Sequence, residues 1–254
     1  MRGLRRLGAR LPMMSALLLW ALVWEVVGRA ELIPILPPLL DILRTLVGLV
    51  QTERFLAAGW TTLQSFALGL GLAVAAGVPL GVLMGRSEAV DRLLGMWVNV
   101  FASAPLTALV PVLMVLFGLG STTVVVAVAL FAVWIIVLDT RAGVRHVSPS
   151  LLEMARSFGA GPTALYGKIL FWAVLPEVLA GIRVGVVRGV KGAVIGQLLV
   201  SIVGFGELFE SYSRYFLMRE FWALTLVLFA FALAGSALVG WLERRVEYYA
   251  ASRG

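Results

Sequence analysis

The sequence predicts an all-α, polytopic membrane protein with six transmembrane helices and one long polar loop. Composition is the first reason: 61% of the 254 residues are hydrophobic and 14% are charged, whereas soluble domains average about 45–50% apolar and about 25% charged residues. The second reason is that the apolar residues form runs near the roughly 20 residues that a helix needs to cross a bilayer. Residues 1–254 are therefore expected to form one transmembrane domain.

Six apolar runs are predicted to be spans. The first follows several arginines and precedes Gly28-Arg29-Ala30, so it also resembles a signal peptide with a weak cleavage site. An uncleaved span is favoured because five further runs follow, and cleavage would leave an odd number. The predicted spans cover residues 11–27, 56–84, 93–117, 122–138, 176–203 and 221–241.

Basic residues between the runs predict the orientation, because cytoplasmic loops carry an excess of lysine and arginine. The side predicted to be cytoplasmic holds most of them: Arg2, Arg5, Arg6, Arg10, Arg86, Arg92, Arg141, Arg145, Arg156, Lys168, Arg244, Arg245 and Arg253. The other side holds Arg29, Arg44, Arg54, Arg214 and Arg219. Both termini are therefore expected in the cytoplasm, as is the polar stretch at residues 139–175.

Composition and charge argue against several function classes. The formal charge of +7 comes from residues at the ends of apolar runs. A basic stripe on a soluble face is absent, so nucleic-acid binding is not expected. The chain has no cysteine, and its only histidine is His146, in a polar loop. A thiolate site, a histidine metal cluster or a Ser-His-Asp triad is therefore not expected, and we assign no catalytic residue, metal or cofactor to this chain.

Two prolines predict how the first span is connected to the second. Pro37 and Pro38 should end the first helix and favour the start of another. Residues 39–50 carry an apolar stripe at helical spacing. We therefore expect a short helix there, lying on the outer surface of the membrane.

Two further prolines fall within the third span. Pro105 and Pro111 are each expected to kink it, since each removes a backbone donor. Carbonyls freed in this way are tolerated where they face protein or a water-filled cavity. Ser103, Pro105 and Thr107 are therefore candidates for lining a path, although a purely structural kink is an equal alternative.

A small residue recurs at every fourth position of the second span and again of the fifth. Membrane helices associate by close backbone approach through such residues, because lipid provides no hydrophobic drive. The two stripes predict tight packing within the bundle or between two copies of the chain, although glycine is also common in membrane helices generally. They consist of Gly69, Ala73, Gly77, Gly81 and Gly85, and of Gly181, Gly185 and Gly189.

The polar loop is predicted to contain a short amphipathic helix. Either Ser148 caps it with Pro149 in the first turn, or Ser150 and Glu153 form a capping box. Gly159 suits the left-handed conformation that ends helices. The expected apolar face consists of Leu151, Met154, Ala155 and Phe158, and the polar face of Glu153, Arg156 and Ser157. The apolar face needs a partner, which is the membrane surface, the bundle itself or another subunit.

After Gly159 and Gly161, Pro162 is predicted to start a second short helix that leads to Pro176 and the fifth span.

The run Glu153-Met154-Ala155-Arg156-Ser157-Phe158-Gly159, followed by Ile169 and Leu175-Pro176, resembles the "EAA" loop of ABC importer permeases. Further segments resemble the nitrate/sulfonate/taurine branch of that family: Trp24-Glu25, Leu36-Pro37-Pro38, Met84-Gly85-Arg86-Ser87, Pro105 to Pro111, Phe117-Gly118-Leu119-Gly120, Gly181-Ile182-Arg183 and Gly204-Phe205-Gly206.

The resemblance implies the type I ABC importer permease fold and a transport role instead of an enzymatic one. Residues 149–158 would be the coupling helix within an EAA-like loop at 148–175, seated in a groove of a separate cytoplasmic ATPase. ATP and Mg²⁺ would bind to that ATPase, in keeping with the lack of a G-x-x-x-x-G-K-[ST] loop here. The implied contact residues are Leu151, Glu153, Met154, Ala155, Arg156, Phe158 and Gly159.

Further partners follow from the same resemblance. A second permease copy, as a homodimer, would complete the path, and a periplasmic or lipid-anchored substrate-binding protein would deliver the solute. The implied location is the bacterial inner membrane and its lipid. Members of the branch carry sulfonates, nitrate, taurine or pyrimidine vitamin precursors.

Basic residues inside the fifth span bear on the solute. They are Arg183, Arg188 and Lys191. Charges in membrane helices are costly and tend to face a cavity or a partner. We expect Arg183 to pair with Asp139 or Glu177. Arg188 and Lys191 share a face and, with Gln197 further along, are candidates for the path, with structural pairing as an equal alternative. A cationic path would favour an anion.

Two other function classes compete with an importer subunit. A stand-alone secondary transporter would need ionisable residues at the midplane and usually shows inverted repeats, but no internal repeat is evident and the charges within spans are mostly cationic. A membrane-embedded enzyme would need a histidine-rich or acidic cluster at membrane depth, and the sequence has none.

Overall fold

The computed structural model describes residues 2–161 and 164–251, apart from the side chains of residues 2–14, 166, 168, 242 and 246–251. These ranges are helical and contain no strand, which confirms the all-α prediction. Pro162, predicted to start a second short helix, lies outside the described residues.

The helices follow one another with short connections. They are α1 (Arg2–Arg29), α2 (Leu39–Leu49), α3 (Glu53–Arg86), α4 (Glu88–Ser103), a 3₁₀ turn (Leu106–Leu109), α5 (Val110–Phe117), α6 (Ser121–His146), α7 (Pro149–Ser157), a π turn (Leu165–Leu170), α8 (Phe171–Val200), α9 (Gly204–Arg214) and α10 (Met218–Ala251). The predicted short helix at 39–50 is therefore confirmed as α2.

Several helices have the length and composition to cross a membrane. Within the described residues, α3, α6 and α10 do so singly, and two bent pairs add up to two more spans. One pair joins α4 to Leu106–Phe117 at 94°, and the other joins α8 to α9 at 55°. The first predicted span lies in α1, whose side chains are described only from Ser15 onward. The count of six spans therefore stays a prediction.

The third span is broken near its middle. α4 ends at Ser103, Pro105 precedes the 3₁₀ turn, and the α-helix resumes at Val110. Pro105 has no N–H with which to continue the hydrogen-bond ladder of α4. Pro111 lies in the first turn of α5, where a missing N–H costs no hydrogen bond. The prediction of a kink at Pro111 was therefore wrong.

The fifth span begins earlier than its predicted start at residue 176. The π turn leads directly into α8, and Pro176 lies inside that helix. A proline removes one ladder hydrogen bond without preventing the helix from continuing beyond it. α8 ends at Val200 and is followed by Ser201, whose φ of 58° is left-handed; α9 starts at Gly204 with the same φ.

The chain divides into two compact units. The smaller comprises Met1–Ala57 and Leu208–Val227, and the larger comprises Ala58–Glu207 and Leu228–Gly254.

In the smaller unit, the end of α1 is tied to the start of α2. The indole of Trp24 donates to the carbonyl of Pro37 at 3.1 Å and packs edge-on against the Trp222 ring, with centroids 5.1 Å apart. The Glu25 carboxylate accepts from the backbone N–H of Leu40 at 3.0 Å. It thereby satisfies one of the free N–H groups in the first turn of α2.

In the larger unit, the small-residue stripe of α3 lies against α6. A Cβ added at Gly81 would be 2.6 Å from the Thr140 Cβ and 2.7 Å from the Val137 carbonyl oxygen. The contacts advance along both helices together, so α3 and α6 run parallel. The same close approach is made by Gly69, Gly77 and Gly85.

The second stripe brings α8 to the same helix α6 from the opposite direction. Added Cβ atoms at Gly181 and Gly185 would lie 2.8 Å from Asp139 and 3.0 Å from Ile136. These contacts advance along α8 as they recede along α6, so the two helices are antiparallel. Gly189 has more room, since its nearest neighbour would be Phe66 at 3.3 Å. Small residues thus let α6 approach two neighbours at backbone distance.

Candidate functional site

The amphipathic helix α7 starts where the sequence places it, but without a side-chain cap. Ser148 occupies the N-cap position and Pro149 the first turn, yet no side chain accepts from a free N–H of that turn. The Ser148 and Ser150 hydroxyls are instead hydrogen-bonded to each other at 2.6 Å. Both predicted capping hydrogen bonds were therefore wrong, because the two serines pair with each other.

The C-terminal end of α7 matches its prediction. Gly159 has φ 78°, and its N–H donates to the Arg156 carbonyl at 2.9 Å. The N–H of Ala160 donates to the Ala155 carbonyl at 3.0 Å. Only glycine adopts this left-handed conformation without steric cost, and the pair of hydrogen bonds gives the helix a sharply defined end.

The apolar face of α7 is only partly covered. Ala155 is buried and Leu151 is partly buried, whereas Met154 is 53% exposed and Phe158 is 86% exposed. Glu153 and Arg156 on the polar side are exposed as well. The helix α7 therefore exposes the Met154 and Phe158 side chains, and no residue of the described part of the chain covers them.

The break in the third span exposes the residues proposed to line a path. Ser103, Pro105 and Thr107 are exposed, while Leu106 between them is 7% exposed and packs into the core. The α-helical hydrogen-bond ladder is interrupted at this point, but two of the local carbonyls are used within the turn: Ala104 accepts from the N–H of Leu106 at 2.8 Å, and Pro105 accepts from that of Ala108 at 2.9 Å. The three candidates thus lie close together at the bend, with Ser103 as the last residue of α4, Pro105 between the helices and Thr107 in the 3₁₀ turn.

Gln197, the third polar candidate on α8, is 1% exposed. Its Nε2 donates to Thr62 Oγ1 at 3.0 Å, and Thr62 also accepts from the N–H of Phe205 at 3.1 Å. The side chain therefore does not line an open path in this structure, because its polar atoms are used inside the bundle. Thr62 was missed; the only available signal was a hydroxyl residue within an apolar span.

Arg188 and Lys191 differ in exposure although they share one face of α8. Arg188 is partly buried and interacts electrostatically with Asp139 on α6. Lys191 is exposed, and no carboxylate of the described ranges lies within ion-pair distance of it. Arg188 is thus partly buried and interacts with Asp139. Lys191 is exposed, so its charge can interact with a bound solute.

The predicted partner of Arg183 was wrong. Its guanidinium lies 3.3 Å from the Glu243 carboxylate on α10, instead of pairing with Asp139 or Glu177. The absent side chain of Gly240 leaves room for this, because the Arg183 guanidinium lies 3.3 Å from where a Cβ would be. Only the packing of α10 against α8 brings the two charges together.

A second ion cluster was also missed. Asp91 on α4 accepts from Arg141 at 2.7 Å and from Arg145 at 2.6 Å through the same oxygen. Both arginines, predicted to lie in a loop, are in the last turns of α6. The carboxylate is 13% exposed and the Arg141 side chain 22%, whereas the Arg145 side chain is 44% exposed. The pair with Arg141 is therefore largely shielded from water, and both pairs join α4 to α6.

The family of the chain is shown by comparison with known proteins. Residues 77–248 match the model of the binding-protein-dependent transport system inner membrane component family. The chain belongs to this family. It is a permease subunit of an ABC importer and a multi-pass membrane protein, as the EAA-like run around Glu153 indicates.

Curated relatives of the permease cover most of its length. The taurine transport system permease protein TauC of Escherichia coli is 28% identical over 196 residues, which is 74% of this chain and 71% of the relative. The carnitine transport permease protein OpuCD of Listeria monocytogenes is 30% identical, over 82% of this chain and 94% of the relative. A putative aliphatic sulfonates transport permease protein, SsuC of Bacillus subtilis, is 24% identical, over 92% of this chain and 86% of the relative.

Solved structures show that the permease shares its fold with other importers. The MetNI methionine ABC transporter in an inward-facing conformation gives a TM-score of 0.65 at 19% identity, over 77% of this permease and 99% of that chain. An amino acid ABC transporter crystallised with histidines gives a TM-score of 0.61 at 19% identity, over 75% of this permease and 93% of that chain.

Proposed function

We propose that this permease forms the path for a small solute with an anionic group, such as a sulfonate, nitrate or carboxylate, and is driven by a separate ATPase that docks on α7. The exposed charge of Lys191 carries the proposal for the solute. It is an exposed cation on an apolar helix without a carboxylate at ion-pair distance in the described chain, and charges within membrane helices tend to face a cavity, a partner or a substrate path.

The names of the relatives support the same solute class. Taurine and aliphatic sulfonates carry a sulfonate, and carnitine carries a carboxylate. The three solutes otherwise differ in size and in their cationic groups. An anionic end is thus the shared feature that a fixed lysine would recognise by charge-assisted hydrogen bonding.

The exposed side of α7 carries the proposal for the ATPase. Phe158 and Met154 would fill a groove of the partner, in the way that an amphipathic helix docks by its apolar face. ATP and Mg²⁺ would bind on the ATPase. Because Gly159 ends the helix sharply, α7 is expected to move as a rigid body and to pass force into the bundle.

The remaining parts of the importer follow from this arrangement. A second copy of the permease would face the first, and Ser103, Pro105, Thr107 and Lys191 of each copy would contribute to the path. A periplasmic or lipid-anchored binding protein would supply the solute from outside. This requires the bacterial inner membrane and both termini in the cytoplasm.

The test is uptake by vesicles that contain the permease, its ATPase and its binding protein. Lys191→Ala should lower uptake of an anionic solute by about tenfold, since a charge-assisted hydrogen bond contributes about 1.5–3 kcal/mol. Lys191→Arg, which keeps the charge, should retain most of the uptake. Co-purification of the ATPase should be the same for all three proteins.

Two outcomes would contradict the proposal in different ways. Unchanged uptake by Lys191→Ala would remove the anionic solute class and leave the ATPase-driven permease intact. Uptake by the permease alone, with no ATPase in the vesicles, would identify a stand-alone transporter and overturn the whole proposal.

A further inference from the structure

Two sides of α4 are exposed, and they differ in chemistry. Gly95 and Val98 turn into the bundle and are buried. Leu93, Trp97 and Val100 lie along one side at helical spacing and are 71%, 55% and 52% exposed. These three residues form the apolar side of α4, and membrane hydrocarbon is the surrounding that suits them.

The second exposed side is polar. It consists of Arg92, Asn99 and Ser103, which are all exposed and whose spacing places them on the same side of the helix. Successive residues are about 100° apart around a helix axis, and by this spacing the polar side lies about 100° away from the apolar side. Arg92 lies 3.5 Å from Glu88 in the first turn, whereas Asn99 and Ser103 lie further along the span.

The amide of Asn99 has a fixed orientation. Its Nδ2 donates to the carbonyl of Gly95 at 2.7 Å, and only the nitrogen of an amide can donate to a carbonyl. Oδ1 therefore remains as an acceptor, and no N–H or hydroxyl among the described residues donates to it. Because an acceptor without a donor is costly in hydrocarbon, this side of α4 requires water or a polar ligand.

The polar side of α4 ends at the break in the third span. Ser103 is the last residue of α4, and Leu106 in the following turn belongs to a buried apolar cluster of the larger unit. Ile195 on α8 packs against the same cluster and lies one turn after Lys191. The break therefore adjoins the part of α8 that carries the exposed Lys191.

We propose that the polar side of α4 faces the solute path and that Asn99 Oδ1 accepts a hydrogen bond from the solute. This inference rests on the path of the proposed function and adds a second kind of recognition to it. Lys191 binds an anionic end, and Asn99 binds an N–H or O–H donor elsewhere in the same molecule. The solute class is therefore an anion that also carries an ammonium or a hydroxyl group.

The first test uses the lack of cysteine in this chain, because a single introduced thiol is then the only labelling site. Asn99→Cys and Ser103→Cys are made in the full-length permease in membrane vesicles. Sulfonatoethyl methanethiosulfonate, an anionic reagent that needs water to reach a thiol, is supplied on both sides. Val100→Cys, at the adjacent residue on the apolar side, is the matched control. Both polar-side thiols should react about tenfold faster than the control, because hydrocarbon excludes water.

Two results of this labelling would overturn the proposal. Equal rates at Asn99→Cys and Val100→Cys, or no reaction at Asn99→Cys, would show that the polar side does not face water. A disulfide between two copies of Asn99→Cys, formed instead of labelling, would place this side at an interface between permeases. Size-exclusion chromatography establishes that every variant is folded.

The second test addresses the hydrogen-bond donor of the solute. Taurine, isethionate and propanesulfonate share a sulfonate and end in an ammonium, a hydroxyl and a methyl group. Each is added at the same concentration, and its slowing of the labelling of Ser103→Cys measures its binding. Taurine or isethionate should protect about fivefold more strongly than propanesulfonate, since one hydrogen bond contributes about this factor. The stronger of the two identifies the donor.

The control for this test is Asn99→Leu in the Ser103→Cys background, because leucine has a similar size and no acceptor. The difference between the three sulfonates should disappear in this variant. Equal protection by all three in the presence of Asn99, no protection at all, or a difference that persists in Asn99→Leu would refute Asn99 as a contact of the solute.

Failure of this inference is distinguishable from failure of the proposed function, since neither labelling test requires an ATPase. Protection that depends on Asn99 and is unchanged in Lys191→Ala would contradict the anion site at Lys191 and leave Asn99 in the path. Slow labelling of Asn99→Cys, together with uptake that depends on Lys191, would contradict only the contact proposed for Asn99.

Discussion

Thr62 on α3 and Gln197 on α8, 135 residues apart in the sequence, are hydrogen-bonded to each other in the core of the larger unit. Thr62 is 3% exposed and Gln197 is 1% exposed. Gly204 closes over the pair, because a Cβ there would lie 2.7 Å from Thr62 Oγ1. This contact joins α3 to the turn between α8 and α9, which contains the left-handed Ser201 and Gly204.

Removal of the Thr62 hydroxyl should destabilise the permease. Thr62→Val leaves the Gln197 amide buried without this partner, which costs about 1–3 kcal/mol. Unfolding by denaturant in detergent measures the difference. Thr62→Ser, which keeps the hydroxyl, should recover most of it.

The control for Thr62 is Thr225→Val, because the Thr225 hydroxyl donates only to the Phe221 carbonyl of its own helix, at 2.9 Å. Its expected effect is within about 0.5 kcal/mol. Equal losses in both valine variants would show that the contact between α3 and α8 contributes no stability of its own.

Close packing of α3 against α6 predicts opposite effects for two glycines on the same helix. Gly81→Ala introduces a Cβ 2.7 Å from the Val137 carbonyl oxygen, and a backbone atom cannot move aside, so a loss of about 1–3 kcal/mol is expected. Gly71→Ala has no atom within 4 Å and should stabilise by about 0.5–1 kcal/mol through helix propensity. Melting temperatures of the two variants should therefore shift in opposite directions.

The exposed ring of Phe158 predicts a variant that folds normally and loses its ATPase. Phe158→Ala removes a side chain that is 86% exposed, so the stability of the permease should not change. Loss of an aromatic anchor from an interface costs about 2 kcal/mol or more, which weakens binding about thirtyfold. Co-purification and a titration with the ATPase measure the effect.

A matched control exists on α10. Phe229 is 64% exposed, and Phe229→Ala removes the same ring away from α7. It should leave ATPase binding intact. If both alanine variants keep the ATPase, α7 is not the docking element.

The shielded cluster at the end of α6 predicts a loss of stability when its carboxylate is neutralised. Asp91→Asn leaves two guanidiniums without their common partner, and about 1–3 kcal/mol should be lost after allowing for partial exposure of Arg145. Glu88→Gln, whose pair with Arg92 is 80–87% exposed, should lose less than about 0.5 kcal/mol. Equal denaturant midpoints for the two variants would argue against the cluster as a structural joint.

Local chemistry explains which features were predicted from the sequence. Gly159 ends α7 as expected, because the left-handed conformation depends on the residue itself. The break at Pro105 follows in the same way from a missing N–H. The capping of α7 was not predictable to the same degree, since the Ser148 and Ser150 hydroxyls each have several hydrogen-bond partners within reach. In the structure they form a hydrogen bond with each other.

The candidate site was predictable in part. The amphipathic pattern of α7 predicted that Met154 and Phe158 lie on one apolar face, but it left open whether the membrane, the bundle or another subunit covers that face, and in the structure both side chains are exposed. The burial of Gln197 and the pairing of Arg183 with Glu243 were not predictable, because hydropathy does not specify which face of a helix meets which neighbour. The same limit applied to the glycine stripes, whose partner α6 became known only from the packing.

By itself, the sequence determined that this protein is helical, lies in a membrane, and carries a sharply ended amphipathic helix at α7. These properties depend on composition and on residues within one or two turns of each other. The tertiary structure alone decided which polar side chains are used for packing, as Gln197 is, and which remain available, as Lys191 does. That outcome depends on contacts between residues far apart in the chain, and such contacts exist only once the helices have packed.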